Sequence, residues 1–188
     1  ANLSPAPPYY PIVDGVHFGT ATPISFSSGI ATASMTLYKE ETVDIASNHT
    51  DATYSDVITG ASALNINAEY VNASVDNRLH VVVAQAAPAY FAITGNATQV
   101  AGVPQTITIR AYDNFNNPAT NYSGTKSITF GGPAVSPAPS TSPTIDGHVI
   151  GTATDLVFNS SGLATASMVL YKVENILVSS SDGSISTR

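Results

Sequence analysis

The sequence has no cysteine and no tryptophan, and charged residues make up only 10% of its 188 positions. Each shortage excludes something. Without cysteine there can be no disulfides, zinc–thiolate sites, iron–sulfur clusters or thiol nucleophiles. Thirteen acidic residues against six basic ones leave a net charge of -7. Phosphate contacts need a basic face, so a nucleic-acid partner is not expected, and electrostatic docking to anionic membranes fails on the same ground. No run of about 18 apolar residues exists, so no spanning helix and no membrane insertion are expected. No segment of useful length carries a helical period. There is no nucleophile elbow, phosphate loop or Ser/His/Asp spacing, and no paired carboxylates stand out. The expectation is a protein that is not an enzyme and needs no cofactor.

Ser and Thr fill the place of the missing charges: 22 Ser and 21 Thr make 43 of 188 residues. With 43% hydrophobic residues the chain is not a solvated, charge-driven disordered polymer. It opens Ala-Asn-Leu-Ser with no initiator Met, which reads as a processed chain from which an export signal has been removed.

An internal repeat organises the sequence. Asp14-Gly15 and Gly19-Thr-Ala-Thr22 recur as Asp146-Gly147 and Gly151-Thr-Ala-Thr154, an offset of 132. After a one-residue insertion near Ser161, the run Gly29 to Lys39 recurs as Gly162 to Lys172. Residues 14–39 share 17 identities in 26 positions with their counterparts. Ser4-Pro-Ala-Pro7 likewise matches Ser136-Pro-Ala-Pro139.

The repeated segments have the period of strands. In Ala31–Tyr38, Ala31, Ala33, Met35 and Leu37 alternate with Thr32, Ser34, Thr36 and Tyr38, which predicts a half-buried strand there and in its counterpart 164–171. The same reasoning predicts strands over 79–83, 90–94, 106–112, 126–130 and 155–158. Gly, Pro, Asn and Asp clusters separate them, among them Asp113-Asn-Phe-Asn-Asn-Pro118, Asp146-Gly147 and Asp182-Gly183. Many short strands with this punctuation read as an all-β, antiparallel sandwich.

Tyr90-Phe-Ala-Ile-Thr-Gly95, Ala101-Gly102, Tyr112-Asp-Asn-Phe-Asn-Asn-Pro118 and Tyr122-Ser-Gly-Thr125 together resemble the tandem immunoglobulin-like modules of prokaryotic surface proteins and adhesin stalks. The resemblance covers roughly residues 88–188, and its later half is echoed at 4–50. It implies immunoglobulin-like sandwiches used for structural or adhesive spacing, and it implies no active site. On this reading, residues 1–86 form a first domain lacking its leading strands, and 87–188 a second lacking its final strand. Subtracting 132 from the strands at 89–130 lands before residue 1, and adding about 133 to Leu79–Val83 lands near 212–216, past Arg188. An incomplete sandwich exposes an apolar groove and unpaired edges, which pair with another strand or aggregate. Three readings stay open: the chain is an excerpt of a longer tandem array; its gaps are filled in trans by a strand of a neighbouring subunit; or 40–86 closes the first domain with strands of its own.

The second reading gives a head-to-tail homopolymer, because strand addition between identical subunits does not close on itself. Its logic is similar to the donor-strand pili of bacteria and the thread-like surface filaments of archaea. The Pro-rich Leu3–Pro11 is a poor central strand. Better donors are Pro-free: residues 173–181, or Leu79–Ala84, in which Leu79, Val81, Val82 and Val83 are the exchange candidates.

Six Asn-X-Ser/Thr acceptors, Asn2, Asn48, Asn72, Asn96, Asn121 and Asn159, suggest covalent glycans that supply the solubility the charges do not. The expected location is extracellular, at the cell surface. A carbohydrate-binding or adhesion module of a larger surface protein is the alternative, with nine Tyr available for stacking. Asp113-Asn-Phe-Asn-Asn117 offers oxygens to calcium, but one carboxylate is a poor cage and an Asn-rich turn accounts for it. Lys39 and Lys172 recur with Glu41 and Glu174 two residues on, which predicts strand-end ion pairs across strands. The resemblance also raises Lys–Asn isopeptide cross-links.

Overall fold

Two Asp-Gly dipeptides, Asp14-Gly15 and Asp146-Gly147, each turn one short strand into the next. The computed structural model describes residues 9–45 and 81–188, and the backbone alone of 48–49, 64–65 and 79–80. It is all β among the described residues, and the strands pair almost throughout in antiparallel fashion. The chain divides into two compact units, Ala1–Ala84 and Gln85–Arg188.

In the first unit the strands are β1 (Ile12–Val13), β2 (Val16–His17), β3 (Met35–Thr36), β4 (Glu41–Ile45), β5 (Asn48–His49), β6 (Leu64–Asn65) and β7 (Leu79–Val83). Asp14 and Gly15, with φ of 47° and 80°, turn β1 into β2; two left-handed residues match the twist of a two-residue hairpin. β1 also pairs with β3, and the Asp14 carboxylate accepts the Ser34 N–H at 2.7 Å. β4 pairs with β7 in the register Glu41 opposite Val83, Val43 opposite Val81 and Ile45 opposite Leu79. β5 pairs with β6, so the 40–86 region does hold strands of its own.

The second unit contains β8 (Pro88–Thr94), β9 (Gln105–Asp113), β10 (Gly124–Gly131), β11 (Thr144–Ile145), β12 (His148–Val149), β13 (Ala153–Phe158), β14 (Leu163–Val169), β15 (Ser179–Ser181) and β16 (Ser186–Thr187). They form one sheet in the order β12-β11-β14-β9-β8-β16-β15-β10-β13. The join between its halves is the parallel pair β16·β8, with Ser186 opposite Tyr90 and Thr187 opposite Phe91. The inward faces meet in one core: Phe91 of β8, Ile107, Ile109 and Ala111 of β9, Ile128 and Phe130 of β10, Leu156 and Phe158 of β13, and Ala164, Ala166 and Met168 of β14. Phe91, Tyr122 and Phe158 pack as mutual aromatic pairs, the Tyr122 and Phe158 rings edge-on at 4.9 Å.

The repeated segments share their local geometry. Asp146 and Gly147 make the same hairpin as Asp14 and Gly15, and the Asp146 carboxylate accepts the Ser167 N–H at 2.7 Å, as Asp14 does from Ser34. Beyond the hairpin they diverge. Ala164–Val169 lies within a seven-residue strand because β9 runs alongside, Ala166 opposite Ile107. The matching run Ala31–Thr36 was expected to be a strand over 31–38, yet only Met35–Thr36 pairs, and it pairs with β1. Thr-Ala-Ser-Met is identical in both. The difference is the missing partner, since no described residue of the first unit stands where β9 stands in the second. A strand without a neighbour leaves its backbone groups to water and its apolar face uncovered. Accordingly Phe158 is 2% exposed while its counterpart Phe26 is 63% exposed, and Leu156 is 3% exposed against 38% for Ile24.

Candidate functional site: an open strand lane

β16 lies antiparallel to β15, Ser186 opposite Ser181, and parallel to the start of β8. It is two residues long, and the lane it enters continues past it. On one side of that lane runs the rest of β8 and the turn after it, Ile93–Ala97; on the other runs Lys172–Val178. Between them lies a groove of about 450 Å³. Its apolar wall and floor include Ile93, Ile107, Met168, Leu170, Ile176 and Val178, of which Ile93, Leu170 and Val178 pack directly against the core.

Val173–Val178 has the burial rhythm of a strand without the pairing of one. Glu174, Ile176 and Val178 are half-buried and Val173, Asn175 and Leu177 exposed, Leu177 to 90%. This segment makes no backbone-to-backbone hydrogen bond among the described residues. Its far flank is nonetheless held. β10 pairs with β15 through Gly131 opposite Ser179, and Gly132, at φ 110°, lies so close to the Leu177 carbonyl that a Cβ there would stand 2.2 Å from its oxygen. No side chain fits at Gly132 without moving that strand. At the rim, the Glu174 carboxylate accepts the Ala134 N–H at 2.8 Å and pairs with Lys172 at 3.0 Å, and these bonds, Ala134 first, hold its pKa below the ordinary value. Lys39 and Glu41 make the same pair at 2.6 Å. In both cases the partners lie two residues apart on one segment, so the ion pairs run along the chain and not across strands as expected.

The repeat gives the lane a counterpart. At an offset of 133, Glu174–Val178 aligns with Glu41–Ile45, which is β4. Both segments alternate half-buried and exposed positions in the same phase. β4 is paired antiparallel with β7.

The sequence had placed exchange candidates at Leu79, Val81, Val82 and Val83. All four lie in β7, paired to β4 of the same chain, with Val82 71% exposed on the outer face. Residues 173–181 were a second donor choice: Ser179–Ser181 is paired with β10 and next to β16, and 173–178 lines the groove. The groove residues Ile93, Leu170, Ile176 and Val178 were not singled out from sequence. The alignment of 174–178 with 41–45 was the available signal.

Among the acceptor asparagines, Asn96, Asn121 and Asn159 are exposed. Asn96 sits at the groove itself. Asn159 turns β13 into β14, its side-chain oxygen accepting the N–H groups of Ser161 and Leu163. Asn48 lies in β5, opposite Asn65; Asn2 and Asn72 lie outside the described residues. Asp113 is fully buried and its two oxygens accept the N–H groups of Ala86, Phe115 and Asn117 and the Asn117 side-chain amide. Burial pushes its pKa up, but these four bonds, the Asn117 amide foremost, outweigh that and hold it below the ordinary 3.8. This carboxylate organises a turn. Among the described residues no group of three or more His, Asp or Glu is placed to hold a metal ion, and no helix is long and apolar enough to cross a membrane. Tyr90 stacks on Tyr112 at 5.4 Å, and the Arg188 guanidinium lies over the Tyr90 ring at 3.8 Å.

No protein-family model matches the chain, and no curated protein matches it. A solved structure, the apo form of Bacteroides uniformis beta-glucuronidase 3, is similar at a TM-score of 0.34 and 14% identity, over 92% of this chain and 19% of that one. A likeness at that level carries no argument about function.

Proposed function

We propose that this protein is a structural subunit of an extracellular filament or surface stalk, built from two related immunoglobulin-like sandwiches. Neighbouring subunits assemble head to tail by β-strand complementation. The observation that carries this reading is the apolar groove beside Val173–Val178, a segment that makes no backbone-to-backbone hydrogen bond among the described residues. The pairing of β9 with β8 and β14, of β10 with β15, and of β8 in parallel with the last strand supports the immunoglobulin-like reading. The exposed Phe26, Ile24 and Ile30 of the first unit support the idea that it too is completed by other strands. A mechanical role follows from the chemistry: an inserted strand buries a backbone ladder and an apolar face together, so dissociation is slow. Glycans on Asn96, Asn121 and Asn159 would cover a surface poor in charge.

A carbohydrate-binding module is the second reading. The exposed Tyr clusters favour it, but the Tyr90 face is covered by Arg188, and the groove lining contains no aromatic residue. A sugar site built for stacking would present one. Electron microscopy of the native protein, together with denaturant-resistant multimers on gels, tests the proposal. Fibres that persist in denaturant support it; a monomer retained on a sugar column supports the module.

A further inference from the structure

We infer that the outer face of the first hairpin is a binding site for neutral sugar rings, built from Tyr9, Tyr10, His17 and Tyr38. The site does not depend on assembly, and it adds a means of adhering to the structural role.

The two copies of the repeat supply the comparison. At an offset of 132, Tyr9-Tyr-Pro-Ile12 before the first Asp-Gly turn aligns with Thr141-Ser-Pro-Thr144 before the second, and His17 aligns with Val149. Both hairpins take the same place at one end of their sheet, β2-β1-β3 in the first unit and β12-β11-β14 in the second, and both have the same turn. The second unit therefore shows that the hairpin forms with Thr, Ser and Val at these three positions. The rings of the first unit are surplus to folding. Tyr38 is common to both copies, as Tyr171.

Register shows which way the rings face. In the second unit Ile145 and Met168 are paired and buried in the core, so the neighbouring row, Val149, Thr144 and Val169, lies on the other face of the sheet. The matching row of the first unit is His17, Ile12 and Thr36. His17 is thus on the outer face. Val149 is 45% exposed with β11, β14 and β9 all in place beside it, so exposure here comes from the hairpin's position at the sheet edge. The Tyr10 ring lies against His17 with centroids 5.2 Å apart, and Tyr9 lies against Tyr38 at 5.1 Å, each pair tilted by little more than 30°. Tyr9 is 42% and Tyr10 56% exposed.

The chemistry of this face selects its ligand. Aromatic ring faces carry partial negative charge and attract the weakly positive C–H groups on the flat side of a pyranose, while hydroxyl and imidazole groups at the ring edges can bond its hydroxyls. Pyranoses of the glucose and N-acetylglucosamine kind present the widest C–H face. Lys39, next to Tyr38 in the chain, is paired with Glu41 at 2.6 Å, which leaves little positive charge for an acidic sugar. The area points the same way. An aromatic side chain spans about 150–250 Å², and with under half of that open the four rings offer roughly 300 Å², short of the roughly 800 Å² per partner of a stable protein interface. It suffices for a short oligosaccharide.

The full chain is screened on an array of neutral and acidic oligosaccharides, and the best binder is titrated into isotope-labelled protein. The expected result is binding of neutral pyranose oligosaccharides, with nuclear magnetic resonance shifts at the rings of Tyr9, Tyr10 and His17 and none at Tyr90, Tyr112 or His148. A variant carrying Tyr9→Thr, Tyr10→Ser and His17→Val gives the first hairpin the residues with which the second already folds. It should keep its circular dichroism spectrum and bind about tenfold more weakly. A blank array, binding of acidic sugars alone, shifts centred elsewhere, or undiminished affinity in the folded variant overturns the inference. The shift map is read on the unaltered chain, so it decides even if the variant unfolds. Sugar binding by a chain that forms no fibres would uphold this site while the filament reading falls.

Discussion

Phe158 and Phe26 occupy the same repeat position and should respond to the same mutation to very different degrees. Phe158 is 2% exposed and packs against Phe91 at 6.1 Å and edge-on against Tyr122 at 4.9 Å. Phe158→Ala removes a fully buried ring and leaves a cavity, a change that costs about 3–5 kcal/mol; the two aromatic pairs account for roughly 1 kcal/mol each of that. Phe26, 63% exposed, touches too little to lose more than about 0.5 kcal/mol. Urea titrations followed by far-ultraviolet circular dichroism on dilute single chains measure both. Hydrogen exchange of the β9 and β14 amides assigns the Phe158 loss to the second unit. Equal losses at the two positions would refute the claim that Phe26 is left uncovered by the described strands of the first unit. In assembled material the contrast should shrink, because a completed first unit buries Phe26 and makes its truncation costly there.

Other expectations follow from the polar bonds. Tyr122 donates its hydroxyl to Asp182 at 2.5 Å, and Tyr122→Phe should cost about 1–2 kcal/mol in the same titration. Asp113→Asn sets an amide group against the donors of the 113–117 turn and should cost about 3 kcal/mol, with faster exchange of the Asn117 amide as its signature. Asp113 and Asp182 both titrate below the ordinary 3.8, burial opposing the shift and hydrogen bonds outweighing it. Depressed carboxylates stabilise the fold at pH values above their unfolded pKa, and that stability is lost as pH falls through the folded values. Burial first, and then the bond to Asp182, raise the Tyr122 pKa above 10.0, so its contribution is intact below that and lost at higher pH. Thermal unfolding midpoints should therefore be flat between about pH 5 and 10 and fall on both sides; a steep loss between neutral pH and about pH 4 would contradict this. Asn96 lies at the groove, so a glycan there should slow assembly, and Asn96→Gln in glycosylated material should speed it.

How far the sequence reads can be judged from single strands. Thr106–Tyr112 alternates so cleanly that β9 was legible with both faces assigned, and Asp-Gly dictated both hairpins. Ala31–Thr36 has as good a pattern as Ala164–Val169 and still fails to form most of a strand. A pattern says which face a strand would bury and not whether another strand is present to pair with, and pairing is a non-local event. The groove was illegible for the same reason. Ile93 and the run holding Leu170, Ile176 and Val178 are two distant stretches of chain, and only the topology sets them around one lane.

The most direct test is a helical reconstruction of fibres of the native protein at a resolution that shows side chains. The account predicts a β-strand of one subunit hydrogen-bonded into the sheet of its neighbour. Fibres in which subunits meet through side-chain contacts alone would contradict it.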